Sequence, residues 1–271
     1  MTVSASDKPL KKASLATAKG ASSVEQTLAE LRPEQVAFVG EYATSTEDKH
    51  VFVQILCWPT IPAAWSMLMQ SIAGLRSLRG DRSAAASTSR SAPDIAWLQD
   101  VAPQLCQPID RDVGAAETTL ATLIRRLPLR FAVAIAEHKS GQSAGSEAMR
   151  YRSLFSGCLS AYGAYLKSSN QSACRIMIAA DRDAPQNDAR QSSCAEVLLH
   201  LDQAPRMGAL GLAFWSEETV PLPLELAQLA AAAVGRHLAQ PTLANPLFET
   251  VRAHLAPPSR FHALSRQSRR K

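Results

Sequence analysis

The chain has 271 residues, of which 46% are hydrophobic and 20% charged, enough to bury a substantial core without disulfide or metal staples. Its net charge of +5 is compatible with phosphate-bearing partners but does not demand them. No run of about twenty apolar residues occurs, so no transmembrane helix is expected, and the basic start continues into Ser, Ala and Thr rather than a secretory apolar run.

Residues 1–32 are rich in Ser, Ala, Thr and Lys and read as a flexible basic arm carrying Lys8, Lys11, Lys12 and Lys19. Two runs follow, Gln35–Tyr42 and His50–Trp58, dense in Val, Phe and Ile, which predict a β-hairpin with a loop over Thr44–Lys49. Pro62–Leu78 repeats apolar residues with helical period, and Gly80–Pro93 is a low-complexity insertion. Glu117–Leu127 predicts a helix stopped by Pro128, and Arg130–Glu137 a third strand. Ser146 is placed to cap a long helix through Lys167, with Glu147 in its first turn.

Cys174–Ala180 predicts a strand ending at Asp181, with Asp183 and Asp188 in the polar loop beyond. Cys194–Leu201 reads as a helix, Ala209–Trp215 as a strand, and Glu225–Leu238 as a largely buried helix. Residues 257–271 form a basic tail with Arg260, Arg266, Arg269, Arg270 and Lys271. Strands that open as a hairpin and then alternate with helices predict an α/β domain over 33–256, a mixed sheet flanked by helices. The two basic ends supply non-specific attraction to nucleic acid on one reading and solubility on the other.

Five cysteines, Cys57, Cys106, Cys158, Cys174 and Cys194, include no Cys-x-x-Cys pair and suit a reduced, cytoplasmic protein. The six histidines show no zinc spacing, and no phosphate-loop or dinucleotide fingerprint occurs. Gly141-Gln142-Ser143-Ala144-Gly145 matches a nucleophile elbow, for which Asp181 or Asp202 and His237 or His254 would complete the order Ser, Asp, His. Lys139 and Ser140 loosen that turn and no glycine-rich oxyanion loop precedes it, so a small-residue loop is the plainer reading. A carboxylate ending a central strand, as Asp181 would, can hold Mg²⁺ against a phosphate; turn-forming aspartates are the competing explanation.

The segment Leu226-Ala-Gln-Leu-Ala-Ala-Ala-Ala-Val-Gly-Arg-His237, followed by Asn245-Pro-Leu-Phe-Glu249, resembles the closing motif of the ribonuclease-H-like family called domain of unknown function 3800. Phe38-Val-Gly-Glu-Tyr42 is similar to its opening Tyr-Val-Asp-Glu-Ser strand, Phe131–Glu137 to its middle strand, and the helix leading into Ile176-Met-Ile-Ala-Ala-Asp181 to its second acidic strand. The resemblance spans roughly residues 36–255 and is poor over 80–128. It implies a ribonuclease-H-like fold and a two-metal carboxylate site using Mg²⁺ or Mn²⁺.

The departures point away from catalysis. Gly40 stands where the family has its first aspartate and Ala231 where it has its last, leaving Asp181 and a doubtful remnant, Glu41. The resemblance then implies a pseudoenzyme, an accessory or scaffold protein of mobile-element or defence context. Arg182, Arg236 and His237 would touch nucleic acid or a protein partner. Two alternatives stay open. One is an active nuclease with a rearranged site, its metal held by Glu41, Asp181 and Asp183 or Asp188. The other is a protein-interaction module with no nucleic-acid role.

Overall fold

The computed structural model describes residues 36–61, 63–64, 67–68, 70, 121–140, 146–170, 175–179, 184–201, 212–215, 222–256 and 262–264. The basic arm, the low-complexity insertion, Ser143, Asp181, Arg182, Asp183, Asp202 and most of the basic tail lie outside the described residues.

The hairpin forms as its alternation requires. Strand β1 (Val36–Ser45) pairs antiparallel with β2 (Lys49–Pro59), placing Glu41 opposite Gln54. Its turn is shorter than the sequence suggests because Thr46 closes it: its amide donates to the Lys49 carbonyl at 2.8 Å and its hydroxyl accepts from the Lys49 amide at 3.2 Å. Strand β3 (Leu129–Lys139) continues the antiparallel set beside β2. On the other side, β4 (Arg175–Ala179) and then β5 (Leu212–Trp215) add in parallel to β1. A sixth strand, β6 (His262–Leu264), pairs with Ala134–Ala136 of β3, so part of the stretch read as tail belongs to the sheet. The order is β5-β4-β1-β2-β3-β6.

Parallel pairs need helical crossovers, which cover both faces. Alternate residues of the central strands divide between two cores. Phe38, Val53, Ile55, Val133 and Ile135 pack against α3 (Leu222–Ala239), α4 (Pro246–Ala253) and Ile124 of the helical segment 121–125. Val39, Leu56, Trp58 and Ala134 face α1 (Glu147–Ser168) and α2 (Ala184–Leu199). The architecture is therefore a mixed sheet between two helical layers.

Helix α1 starts where its cap predicts, the Ser146 hydroxyl accepting from the Met149 amide at 3.2 Å. It buries Leu154, Phe155, Cys158, Leu159, Tyr162 and Leu166, each worth about 1.5–3 kcal/mol for the larger side chains. Tyr162 meets Trp58 edge-on with ring centroids 4.5 Å apart. The small residues Ala132, Ala134 and Ala136 let α1 settle close to the sheet. Arg152 and Glu196 form an ion pair joining α1 to α2.

Two helices depart from expectation. Helix α2 begins at Ala184, so Asp188 sits exposed on a helix and not in a loop. Its buried residues, Ser193, Cys194 and Val197, all lie in its second half, and Pro185 suits a first turn, where no partnered N–H is lost. Helix α4 was not expected; Asn245 and Pro246 begin it. The Asn245 side chain accepts from the Phe248 amide at 2.9 Å and donates to the Ala233 carbonyl at 2.8 Å, pinning α4 to α3.

Cys57, Cys158 and Cys194 are free thiols and all buried. The Cys158 thiol donates to the Gln54 carbonyl at 3.2 Å. Burial pushes the Cys57 and Cys158 thiols up and raises Cys194 to about 12. Native-state alkylation followed by peptide mapping should therefore leave Cys57 and Cys158 unmodified until denaturant is added. Rapid labelling of either in the folded protein would contradict this packing.

Candidate functional site

The positions expected to have lost their acids lie together at the contact of β1 with α3. Ala227, Ala231 and Gly235 recur every four residues and so share one stripe of the helix. A Cβ on Gly40 would fall 2.0 Å from the Ala227 carbonyl oxygen and 2.6 Å from the Gln228 amide nitrogen. A Cβ on Gly235 would fall 2.3 Å from Cδ1 of Tyr42. Ala231, between these two contacts on the stripe, is fully buried. Helix backbone here rests directly on the strand, leaving no space for a carboxylate at position 40.

Glu41 does not take over from Gly40. Successive side chains on a strand point to opposite faces, and Glu41 lies on the α1–α2 side. There its Oε1 accepts from Nε2 of Gln54 at 3.0 Å, and its Oε2 pairs with Nη2 of Arg190 at 3.0 Å. The pair is part-buried, with side-chain exposures of 19% for Arg190 and 34% for Glu41, so solvent still screens it.

These residues line a cavity of about 530 Å³ between the β1–β2 hairpin, the first turns of α1 and the middle of α2. Its walls include Ala43, Phe52, Ala148, Tyr151 and Leu154, and its polar groups include Gln54 and Ser193. The Arg150 guanidinium lies 3.8 Å from the centre of the Phe52 ring. Tyr151 stacks on Phe155 with centroids 5.7 Å apart, and the Arg190 guanidinium lies 5.9 Å from the centre of the Tyr151 ring. Burial, and then the Glu41 carboxylate, push the Tyr151 phenol up, so it stays protonated and able to donate.

Of the other expected site residues, Arg236 and His237 lie in the last turn of α3 and are half-buried. His237 stacks on Phe248 of α4 with ring centroids 3.7 Å apart, which makes it a packing element of the α3–α4 junction. His254 ends α4, its Nδ1 2.9 Å from the Thr250 carbonyl. Asp181, Arg182 and Asp183 lie outside the described residues, as does Ser143.

A divalent metal fits the described residues poorly. Among them, no three His, Cys, Asp or Glu side chains gather where an ion could be held. An ion at Glu41 would also have to compete with the guanidinium of Arg190, and Asp188 projects into solvent.

Glu41 apart, the cavity's residues were given no site role from sequence, although one signal existed. Gln54 interrupts the otherwise apolar run Val51–Trp58, and a polar side chain there must either break the strand or meet a buried partner. Arg190 had no such signal, because it lies 149 positions from Glu41. Comparison with family models, curated proteins and solved structures finds no match to the chain.

Proposed function

We propose that the chain is a degenerate ribonuclease-H-like domain, similar to the domain of unknown function 3800 family, retained as a non-catalytic accessory or scaffold protein in the cytoplasm. It binds nucleic acid or a protein partner. A hairpin-led mixed sheet with helices on both faces is the architecture this reading expects. The observation that carries it is the contact of Gly40 with the Ala227 carbonyl, which fills the space a first metal-binding aspartate would need. Ala231, buried on the same helical stripe, supports it from the other side of that contact. No helix among the described residues is long and apolar enough to cross a membrane.

The rearranged-nuclease alternative asks Glu41 to hold a metal while Arg190 and Gln54 already occupy its carboxylate oxygens. The two readings separate in one assay. With Mg²⁺ or Mn²⁺, neither DNA nor RNA should be cleaved above background. Cleavage that Asp181→Ala abolishes would overturn the scaffold reading. Binding to labelled strands should weaken steeply with salt, at a log–log slope of about −0.7 to −0.9 per phosphate contacted. Absence of any salt-dependent binding would leave the protein-interaction module as the surviving form.

A further inference from the structure

The geometry points to the Glu41–Gln54–Tyr151 cavity as a binding site for an uncharged planar heterocycle of the nucleobase class. Its size falls within the range of small-molecule clefts. Its four charged lining residues, Glu41, Glu147, Arg150 and Arg190, balance to zero, so the interior does not call for a phosphate or a metal ion. Phe52, with the Arg150 guanidinium over its ring, and Tyr151, stacked on Phe155, line it, and heterocycles stack on aromatic and guanidinium planes alike.

Two buried polar groups set the polar requirement. Gln54 is 1% exposed, and its Nε2 donation to Glu41 fixes which end of the amide carries oxygen. Its Oε1 is buried with no hydrogen-bond partner among the described residues. The Tyr151 hydroxyl is likewise buried, with the Gln54 amide as its polar neighbour. Leaving Gln54 Oε1 unbonded is costly, at a level that usually marks a ligand or ordered solvent. One fixed acceptor beside one hydroxyl donor matches the adjacent N–H and C=O (or ring nitrogen) along the edge of a nucleobase. The ring lies against this lining, its N–H donates to Gln54 Oε1, and the Tyr151 hydroxyl donates to the neighbouring acceptor. This site lies on the opposite face of the sheet from Gly40 and Ala231, and it does not depend on the scaffold reading, since a free nucleoside needs no strand.

The ring could arrive as a free nucleoside or as an unpaired base of a strand, and the test separates them. Saturation-transfer NMR on the full chain uses guanosine, adenosine, cytidine and uridine at millimolar concentration. Indole serves as a flat ring lacking an adjacent donor and acceptor, and ribose 5-phosphate as a charged sugar without a ring. Nucleosides should bind and both controls should not. Tyr151→Phe keeps the stack on Phe155 and removes only the hydroxyl, so it should weaken nucleoside binding about 3- to 10-fold. Gln54→Leu should do the same, with thermal melting confirming that each variant is folded. Labelled single strands displaced by nucleosides, and weakened by Tyr151→Phe, assign the base to a strand; nucleoside binding without strand binding assigns a free ligand. Nucleoside binding unmoved by both variants, equal binding of indole, or no nucleoside binding overturns the site. Salt-dependent strand binding that persists through both variants, with no nucleoside signal, rejects the pocket and keeps the nucleic-acid scaffold. Nucleoside binding with no salt-dependent strand binding does the reverse.

Discussion

Gly40→Asp is expected to unfold or severely destabilise the protein and to restore no cleavage. The new Cβ would lie 2.0 Å from a helix carbonyl oxygen, and backbone cannot swing aside as a flexible side chain does. Overpacking of this kind typically costs about 1–3 kcal/mol. The carboxylate adds the cost of an unpaired charge at the β1–α3 contact, several kcal/mol more. Against a total stability on the order of 5–15 kcal/mol, the sum removes much of the folded population. Gly40→Ala isolates the steric part and should lower the urea midpoint by less. Ala231→Asp places a carboxylate at a fully buried site that already carries a Cβ and should also destabilise by several kcal/mol. Denaturant titrations of the three variants measure these losses. A Gly40→Asp protein as stable as the parent, or one that gains Mg²⁺-dependent cleavage, would show that α3 does not close this space.

Glu225→Gln should instead stabilise the protein, and increasingly so towards alkaline pH. Glu225 lies in the first turn of α3, is 5% exposed, and its Oε2 has no hydrogen-bond partner among the described residues. Burial raises its carboxyl from the ordinary 4.5 to about 8. Below pH 4.5 the group is protonated whether the chain is folded or not, and the fold's stability is fully present. Above that pH the unfolded chain releases a proton that the folded chain keeps, so stability is lost progressively up to about pH 8. Each tenfold change in proton affinity is worth about 1.4 kcal/mol. The positive end of the helix favours the carboxylate by up to ~1 kcal/mol, and residual hydration lowers the penalty further. We therefore expect Glu225→Gln to gain roughly 2 kcal/mol at about pH 8 and little at about pH 5. Unfolding midpoints of both proteins across this range would show the gap opening. A gap independent of pH would mean that Glu225 is ionised in the fold.

Local chemistry carried most of the fold from sequence. The alternation in Val36–Ser45 and Lys49–Pro59 specifies paired strands, and Ser146 marks the start of α1 to the residue. Helix α2 was legible only in its apolar second half, because Gln186 to Gln191 offers no apolar period. The short α4 depends on Asn245 reaching Ala233, a contact that adjacent positions cannot reveal. The parallel join of Val39 with Ile178 and the edge pairing of β6 are long-range choices of the same kind. The small residues at Gly40 and Ala231 were visible, but their reason was not: only the packing shows helix backbone pressed onto the strand. The cavity was least legible, since Glu41, Gln54, Tyr151 and Arg190 come from four elements and carry no shared spacing.

The shape of the sheet's margins bears on how the protein behaves in concentrated solution. Strands β2 and β3 run for 11 residues each, whereas the outer strands β5 and β6 have only 4 and 3. A long, apolar rim with unsatisfied backbone groups invites a second molecule to add itself by strand pairing. Here the outer side of β3 is occupied by Leu255 opposite Phe131 and by His262–Leu264 opposite Ala134–Ala136. Leu255, which packs against the α3-side core, and His262–Leu264 thus shield the longest rim from self-association, and colloidal stability becomes a property of these short edge contacts.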